Sequence, residues 1–543
     1  MGEIKVKKFK KFISLSLAGL MLIPSIAFAK EKDYGSAKNI IMMIPDGTSV
    51  ETVTAARWID EDNHLTMDEM LTGLVKIHNS NTPIADSAPA GTAMSTGIKT
   101  ETPYIASYPS KSGLPNSVEL DKEKINMPIA TILEGAKNIG KATGIVSTSN
   151  IQHATPADFS SHYPNRNKYE ILGEQQVYQK MDLVLGAGSK YLSKEERADK
   201  EDLISEIKNL GYEYVTDTKG LKNAKTNKVW GMFDPSAMSY DVDRDPEKEP
   251  ALCEMTEKAL QVLSKNDKGF FLMVEGSEVD WGNHANDPVG ALKDLLAFDK
   301  AVKVAKDFAD KNKDTVIIIA ADHGTGGFTF GNKKISKGYD KAPLKDFVDV
   351  IRFSKASAGK TAEMIKADRN KAQEIMKNIY NIDLSTEEFN LLKTVDEKKL
   401  DGEIANIVSL NSNVGWTTGG HTAGDVGLYC YSTSENAKVL KGLINNCDIG
   451  NYMADLFNID LQEMTDKFFL KARKEFEKIG AEIEFKNQDK NPVLTAKKGD
   501  KVLVIPMYKN YGIIGGEKID LGSVSVFNGS KVYVSQKAID LLK

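Results

Sequence analysis

Cysteine is scarce in this 543-residue sequence, which has three copies, at positions 253, 430 and 447. So few thiols cannot be the main source of stability for such a long chain, and their spacings fit no zinc-binding motif. They allow one disulfide with one thiol left over, and Cys430 and Cys447 are the closer pair in sequence. A hydrophobic fraction of 41% supplies a substantial core instead, which excludes a wholly disordered chain.

An excess of positive charge is also absent. Lysine and arginine number 71 against 76 aspartates and glutamates, and the formal net charge is −5. Nucleic-acid binding is therefore not expected, because it usually requires a basic surplus. Histidine is rare as well, with seven copies. A protein that depends on histidine chemistry should place so few copies in recognisable settings.

Long apolar runs are lacking except near the N-terminus. Five lysines between positions 5 and 11 precede an apolar stretch over residues 12–26, and Ala27-Phe28-Ala29 follows. This order is typical of a signal peptide with an A-x-A cleavage site. The alternative is an uncleaved anchor, although the stretch is short for a membrane span. We predict a signal peptide over 1–29, a secreted or cell-envelope protein, and no transmembrane segment after cleavage.

The mature sequence follows an α/β pattern. Residues 39–44, 142–148, 270–274 and 315–321 are short, β-branched apolar runs typical of buried strands, whereas residues 291–308 have helical periodicity. Alternation of strands and helices predicts a mostly parallel central sheet with helices on both faces. In such sheets ligands bind beyond the carboxyl ends of the strands, so the residues that follow each strand deserve inspection.

Acidic residues and histidines follow these strands. Asp46, Glu275 and Asp322 each come at or after a strand end, and His153 and Thr155 follow another strand. One such carboxylate usually serves as a helix cap or turn residue. Several at one sheet edge would repel each other unless a positive group compensates, and divalent metal ions are the natural candidates.

The donor atoms indicate which metals would suit the site. Asp280 and His284 are four residues apart and would share one helix face, and such oxygen and nitrogen donors suit zinc. His421 lies in a glycine-rich loop that could approach the same ion. Thr155 and Glu275 offer only oxygens, which suits magnesium, and the two oxygens of Asp46 could bridge two metals.

A candidate nucleophile is Ser87. The small residues from Ala88 onward can form a helix, with Pro89 tolerated in its first turn. Ser87 would then lie at the helix N-terminus, where free N–H groups favour an alkoxide or a phosphoryl oxygen. The alternative is a serine that only caps the helix.

These motifs, in this order, resemble those of the alkaline phosphatase family over residues from about 38 to 425. The matching segments are Pro45-Asp46-Gly47, Asp86-Ser87-Ala88 with 92–97, His153 to Ala157, Arg166, Glu275 to His284, Asp322-His323-Gly324 and His421-Thr422. The resemblance implies a phosphomonoesterase that acts through a covalent phosphoserine on Ser87, at alkaline pH, on small-molecule phosphate esters. It also implies that Arg166 grips two phosphoryl oxygens.

The resemblance implies three metal sites. The first zinc would be held by Asp280, His284 and His421, the second zinc by Asp46, Asp322 and His323, and the magnesium by Asp46, Thr155 and Glu275. His162 matches no family ligand and is expected to be structural.

Two substrate-side positions depart from some family members. His153 stands where some bacterial members have aspartate, and Trp281 stands where some have lysine. A histidine beside the third metal should weaken magnesium binding. Loss of a cation at position 281 should ease product release.

Other functions remain as alternatives. A phosphodiesterase or another hydrolase of the same superfamily would share much of this motif set, although the Thr155 and Glu275 pair favours the monoesterase. A sulfatase is disfavoured because Gly91 stands where its motif requires arginine. A non-enzymatic surface-binding protein would have no need for clustered acidic groups. Family members are commonly homodimers, so a homodimer is one expectation.

The remaining sequence predicts the domain organisation. A catalytic domain is expected over 30–480, with a largely helical insertion over about 328–411 that either caps the site or decorates the surface. Short strands at 481–485, 492–495, 501–507, 524–527 and 531–534 predict a small β-rich appendage over 481–543. The appendage could pack on the catalytic domain, pair with another chain or hold the cell wall.

Overall fold

The computed structural model describes residues 34–543, which form one compact unit. The predicted signal peptide over 1–29 lies outside the described residues. Among residues 34–543, no helix combines the length and the apolar character that a bilayer span requires. Cys253, Cys430 and Cys447 are all free thiols, and the last two are buried, so the disulfide that the sequence allowed is not formed.

The strands of the described residues, numbered along the chain, are β1 (Asn39–Pro45), β2 (Leu71–Lys76), β3 (Ala142–Asn150), β4 (Leu183–Ala187), β5 (Glu213–Val215), β6 (Val229–Met232), β7 (Phe270–Gly276), β8 (Thr315–Ala320), β9 (Gly324–Thr325), β10 (Thr329–Phe330), β11 (Val414–Gly415), β12 (His421–Thr422), β13 (Val426–Ser432), β14 (Gly442–Asn445), β15 (Leu470–Lys471), β16 (Glu482–Lys486), β17 (Val493–Lys498), β18 (Lys501–Pro506), β19 (Tyr511–Ile514), β20 (Glu517–Asp520), β21 (Val526–Phe527) and β22 (Val532–Val534).

The α-helices of the same residues are α1 (Val50–Ile59), α2 (Ser87–Thr96), α3 (Ile132–Asn138), α4 (Ala154–Ser160), α5 (Tyr169–Gln179), α6 (Leu203–Asn209), α7 (Thr218–Asn223), α8 (Leu252–Leu263), α9 (Glu278–His284), α10 (Pro288–Lys311), α11 (Lys345–Phe353), α12 (Ala358–Ala367), α13 (Ala372–Tyr380), α14 (Thr386–Thr394), α15 (Leu400–Asn411), α16 (Asn446–Leu456), α17 (Leu461–Phe468), α18 (Ala472–Lys478) and α19 (Gln536–Asp540).

Within residues 34–543, ten strands form one large sheet in the order β14-β2-β13-β8-β1-β7-β3-β4-β6-β5. β13 pairs antiparallel with both of its neighbours, and the other pairings in this sheet are parallel. The mostly parallel sheet predicted from the alternating pattern is therefore confirmed. The four strands that the sequence identified, β8, β1, β7 and β3, are direct neighbours at its centre.

The core lies on both faces of this sheet. β1 is buried along its whole length, and its side chains alternate between two apolar clusters. Ile41 and Met43 pack into the cluster that contains α8 and α10, whereas Ile40, Met42 and Ile44 pack into the cluster that contains α3 and α16. Helices thus cover both faces, as expected for a parallel sheet whose strands are apolar throughout.

The segment between β10 and β11 is helical, as the sequence indicated, and contains α11 to α15. Its apolar residues, such as Val348 and Ile365, belong to the same cluster as α8 and α10. Asp287 links the insertion to α10, because its carboxylate accepts hydrogen bonds from the backbone N–H of Val289 in α10 and of Ala358 in α12. The insertion therefore extends one face of the core.

The C-terminal region contains an antiparallel five-stranded sheet in the order β16-β17-β18-β19-β20. β19 and β20 were not anticipated from the sequence. They are joined by Gly515 and Gly516, whose φ values of +59° and +88° suit the tight turn of a two-residue hairpin. β20 is largely exposed and contains lysine and aspartate, and β19 is only four residues long, so neither gives a strong β pattern, although the glycine pair was an available signal.

Candidate active site

The candidate site lies at the carboxyl ends of the four central strands. Asp46 directly follows β1, Glu275 is near the end of β7, and Asp322 follows β8. The register places Ile44 opposite Glu275, and the next strand, β3, leads to His153 and Thr155 at the start of α4. Strand order therefore brings together residues that are more than 200 positions apart in sequence, as the sheet-edge argument predicted.

Ser87 is the first residue of α2, and every residue of this helix is buried. The Ser87 Oγ lies 3.2 Å from the Nε2 of His323. The helix runs as the sequence predicted, includes Pro89 in its first turn, and ends at Gly97, whose φ of +74° is left-handed. The nucleophile candidate therefore lies at the N-terminus of a fixed helix and beside a predicted metal ligand.

Asp280, His284 and His421 offer three donor atoms that lie within 4.8 Å of one another. Asp280 and His284 share one face of α9, and the Nε2 of His284 is 3.3 Å from Asp280 Oδ2 and 3.0 Å from His421 Nε2. The short antiparallel pair of β12 and β9 places His421 opposite Thr325. These side chains form one group that could hold a metal ion.

A second group that could hold a metal ion consists of Asp46, Asp280 and His323, whose donor atoms also lie within 4.8 Å of one another. Asp322, which the resemblance assigns to this position, has its Oδ2 at 3.2 Å from His323 Nε2. Asp280 thus lies between the two groups. Its approach requires a glycine at position 47, because a Cβ there would stand 2.4 Å from Asp280 Oδ1.

Three buried carboxylates of the site each have one oxygen without a hydrogen-bond partner. These oxygens are Asp46 Oδ1, Asp322 Oδ2 and Glu275 Oε1. Burial and the nearby charges of Asp322 and Asp280 raise the pKa of Asp46 well above its usual range. Burial likewise raises the pKa of Glu275 to about 7. Such unpaired acidic oxygens are costly without a cation, so their chemistry fits bound metal ions.

His284 counters part of this negative charge in the group formed by Asp280, His284 and His421. A hydrogen bond with Asp280 raises the pKa of His284 to about 9. Burial opposes ionisation of Asp280, but its contacts with His284 and His323 hold its pKa below the usual range. These two side chains therefore favour an ion pair when no metal competes for them.

Glu275 and Thr155 are the other two residues of the predicted magnesium group. Thr155 Oγ1 is 3.5 Å from Asp46 Oδ2, and Glu275 Oε2 accepts a hydrogen bond of 2.6 Å from Ser147 Oγ. Ser147 sits beside Glu275 in the register of β3 and β7. The three predicted magnesium ligands are therefore neighbours that offer only oxygen atoms, and Ser147 orients one of them.

Arg166 reaches the site through two contacts. Its Nη1 donates a hydrogen bond to Asp86 Oδ1, and its Nη2 donates one of 2.9 Å to His153 Nε2. Burial opposes its charge, yet Asp86 raises the pKa of Arg166 above its usual value. Burial and the Arg166 charge lower the pKa of His153 to about 3, so His153 is neutral and accepts this bond. Trp281 packs edge-on against the His153 ring at 5.8 Å.

Sequence reasoning missed the residues that orient these groups. Thr325 donates a hydrogen bond of 2.6 Å to Asp280 Oδ1 and lies 3.2 Å from His323 Nδ1. Ser147 supports Glu275, and Asp86 holds Arg166. Asp86 directly precedes Ser87, and Thr325 comes two residues after His323. Aspartate, serine and threonine are too common for such positions alone to identify these residues. His162, expected to be structural, is buried and paired with Glu134 at 3.1 Å.

This arrangement suits a metal-dependent hydrolase that acts on phosphate esters, because Ser87 contacts a residue of one metal-donor group and Arg166 is bonded to Asp86, the residue before Ser87. The chain belongs to the alkaline phosphatase family, whose model matches residues 37–459. Members of this family hydrolyse phosphate monoesters, and the chain is therefore an enzyme of that type.

Two bacterial relatives support this assignment. The chain is 34% identical over 447 residues to alkaline phosphatase 4 of Bacillus subtilis (strain 168), which covers 78% of this chain and 90% of that protein. It is 33% identical over 492 residues to alkaline phosphatase 3 of the same organism, which covers 84% of this chain and 100% of that protein.

Solved structures give the same fold. The cold-active alkaline phosphatase from the psychrophile Shewanella sp. superposes with a TM-score of 0.67 at 29% identity, over 77% of this chain and 99% of that one. The Thermus thermophilus alkaline phosphatase superposes with a TM-score of 0.69 at 25% identity, over 79% of this chain and 93% of that one. The family match ends before β16, so it does not include the C-terminal sheet.

Proposed function

We propose that the protein hydrolyses phosphate monoesters at alkaline pH through a covalent phosphoserine on Ser87, with two zinc ions and one magnesium ion as cofactors. The observation that carries this proposal is the position of Ser87 Oγ, 3.2 Å from His323 Nε2, which itself lies 3.2 Å from the buried Asp322 Oδ2 that has no hydrogen-bond partner. A serine that only capped its helix would not need metal donors beside its hydroxyl group.

The donor sets fit these ions. Asp and His donors together suit zinc, whereas oxygen donors alone suit magnesium. The buried oxygens without partners in Asp46, Asp322 and Glu275 would be satisfied by cations. The proposed holders are Asp280, His284 and His421 for the first zinc, Asp46, Asp322 and His323 for the second zinc, and Asp46, Thr155 and Glu275 for the magnesium.

When bound, the metal ions would lower the pKa of nearby hydroxyl groups and neutralise charge on the phosphoryl oxygens. Ser87 Oγ attacks the phosphorus in line with the departing alcohol, and a phosphoserine forms as the alcohol leaves. Arg166 holds two phosphoryl oxygens through its paired N–H groups, while Asp86 and neutral His153 fix the plane of its guanidinium. Water then attacks the phosphoserine from the opposite side and releases inorganic phosphate.

Ser87→Ala tests the proposal directly. The variant should form no acid-trapped phosphoenzyme and should lose nearly all monoesterase activity. Ser95→Ala is a matched control, because Ser95 lies in the same buried helix and bonds only backbone carbonyls of Thr92 and Asp158. Full turnover by Ser87→Ala would overturn the nucleophile assignment, and a higher rate on a phosphodiester than on a monoester would overturn the substrate class.

Export and assembly also belong to this proposal. The lysine-rich segment, the apolar stretch and Ala27-Phe28-Ala29 support export to the cell envelope or the medium. The family resemblance supports a homodimer. N-terminal sequencing of protein from the medium should find cleavage after Ala29, and light scattering should give twice the chain mass.

A further inference from the structure

A cleft lies between the segment that follows Arg166 and the C-terminal sheet. Residues 167–169 line one side, and residues 488–492, the connection between β16 and β17, line the other. Its cavity volume is about 420 Å³. This size falls within the usual range of small-molecule sites, and it could accommodate the organic part of a substrate.

Aromatic side chains line the cleft. The rings of Tyr169 and Tyr191 lie 4.9 Å apart and are tilted by 51°, and both are partly exposed. Tyr508 of the C-terminal region also lines the cavity and is buried. A partly exposed aromatic pair offers apolar ring faces and edges against which another ring could pack.

The cleft begins next to the proposed phosphoryl site. Tyr169 follows Arg166 by three residues and packs against the small apolar cluster that contains Ala88 and Ala154, which adjoin Ser87 and Thr155 in sequence. The Arg166 and Asp86 side chains keep 15% and 19% exposure, so solvent reaches the pair. A phosphoryl group held by Arg166 would therefore leave its alcohol part near Tyr169.

The charges around the cleft nearly balance. Glu170, Glu174, Asp199 and Asp489 line it together with Lys168 and Lys490, but Arg197 lies 3.6 Å from Glu174 and also pairs with Asp199, and Lys509 lies 3.4 Å from Glu174. The lining therefore offers no strong charge of either sign, which suits a neutral ring.

The wall made by the C-terminal sheet is held in place by a buried ion pair. Lys509 Nζ lies 2.8 Å from Glu201 and 3.4 Å from Glu174, which belongs to α5. The wall also lies beyond residues 37–459, to which the family model applies.

We propose that this cleft binds the neutral, ring-bearing alcohol part of a phosphomonoester, such as a nucleoside, and that the C-terminal sheet thereby sets substrate preference. The inference rests on the proposed function, since the phosphoryl group must occupy the site of Ser87 and Arg166.

The test compares adenosine monophosphate with β-glycerol phosphate as substrates of the zinc- and magnesium-loaded enzyme. Tyr191→Ala removes half of the aromatic surface, and deletion of residues 488–490 shortens the opposite wall. Tyr339→Ala is the matched control, because Tyr339 is 70% exposed and lies outside the cleft. Inhibition by inorganic phosphate reports whether the phosphoryl site is intact.

We expect both cleft variants to raise KM for adenosine monophosphate about three- to tenfold, which is the range for loss of an aromatic contact. Their KM for β-glycerol phosphate and their inhibition by phosphate should stay within twofold, as should every constant of Tyr339→Ala. Parallel changes for both substrates, or no change for either, would overturn the inference while monoesterase activity persists. Failure of the proposed function would differ, because neither substrate would then be hydrolysed.

Discussion

Thr325→Val should weaken zinc binding although the residue is no metal ligand. Thr325 is buried, and its Oγ1 donates to Asp280 Oδ1 at 2.6 Å while His323 Nδ1 lies 3.2 Å away. The hydroxyl group has one proton, so His323 Nδ1–H must be the donor of the second bond. That tautomer leaves the Nε2 lone pair of His323 free for a metal, on the side that faces Ser87.

The magnitude follows from the two lost bonds. Valine has nearly the same shape, so the packing is preserved while an ionised carboxylate and an imidazole N–H lose their partner. A hydrogen bond to a charged group contributes about 1.5–3 kcal/mol. At about 1.4 kcal/mol per tenfold change, zinc affinity should fall roughly 10- to 150-fold. This agrees with the roughly 10- to 100-fold losses typical of residues that support metal ligands.

Competition with a chromogenic chelator would measure zinc affinity, and kcat/KM would be followed as zinc is added. Thr325→Ser keeps the hydroxyl group and should restore most of the affinity. Thr54→Val is the matched control, because Thr54 donates only to the Val50 carbonyl on a surface helix. Zinc affinity within twofold of wild type in Thr325→Val would refute the reasoning.

Two further predictions concern metal removal and the C-terminal sheet. Burial raises the pKa of Glu275 from 4.5 to about 7, so the metal-free folded state keeps a proton that the unfolded state has released. Stability of chelator-treated protein should therefore fall as the pH rises from about 4.5 to 7, relative to protein loaded with zinc and magnesium, and parallel pH dependences of the two melting temperatures would contradict this. Lys509→Met removes one of the two cations beside buried Glu174, leaving Arg197 at 3.6 Å, and should lower the free energy of unfolding by about 1–3 kcal/mol in urea titrations, against less than about 0.5 kcal/mol for exposed Lys486→Met; equal effects would contradict the burial argument.

The sequence located the central strands well because their apolar, β-branched runs have few other stable conformations. It also indicated that Asp46, Glu275 and Asp322 would gather, since parallel strands end at one edge. Helix α2 and its N-terminal serine followed from small residues and a tolerated proline. The β19–β20 hairpin escaped prediction because its pattern is weak and its support comes from neighbouring strands.

What the sequence determined by itself was therefore the local chemistry: which strands end in acidic residues, which serine begins a helix, and which motifs belong to one family. The tertiary structure alone decided that Thr325 links Asp280 to His323, and that residues 488–492 stand beside Tyr169. Those contacts join segments that the chain pattern leaves independent. They depend on how the packed core and the Lys509 ion pair orient whole elements, and no short stretch of sequence encodes such an orientation.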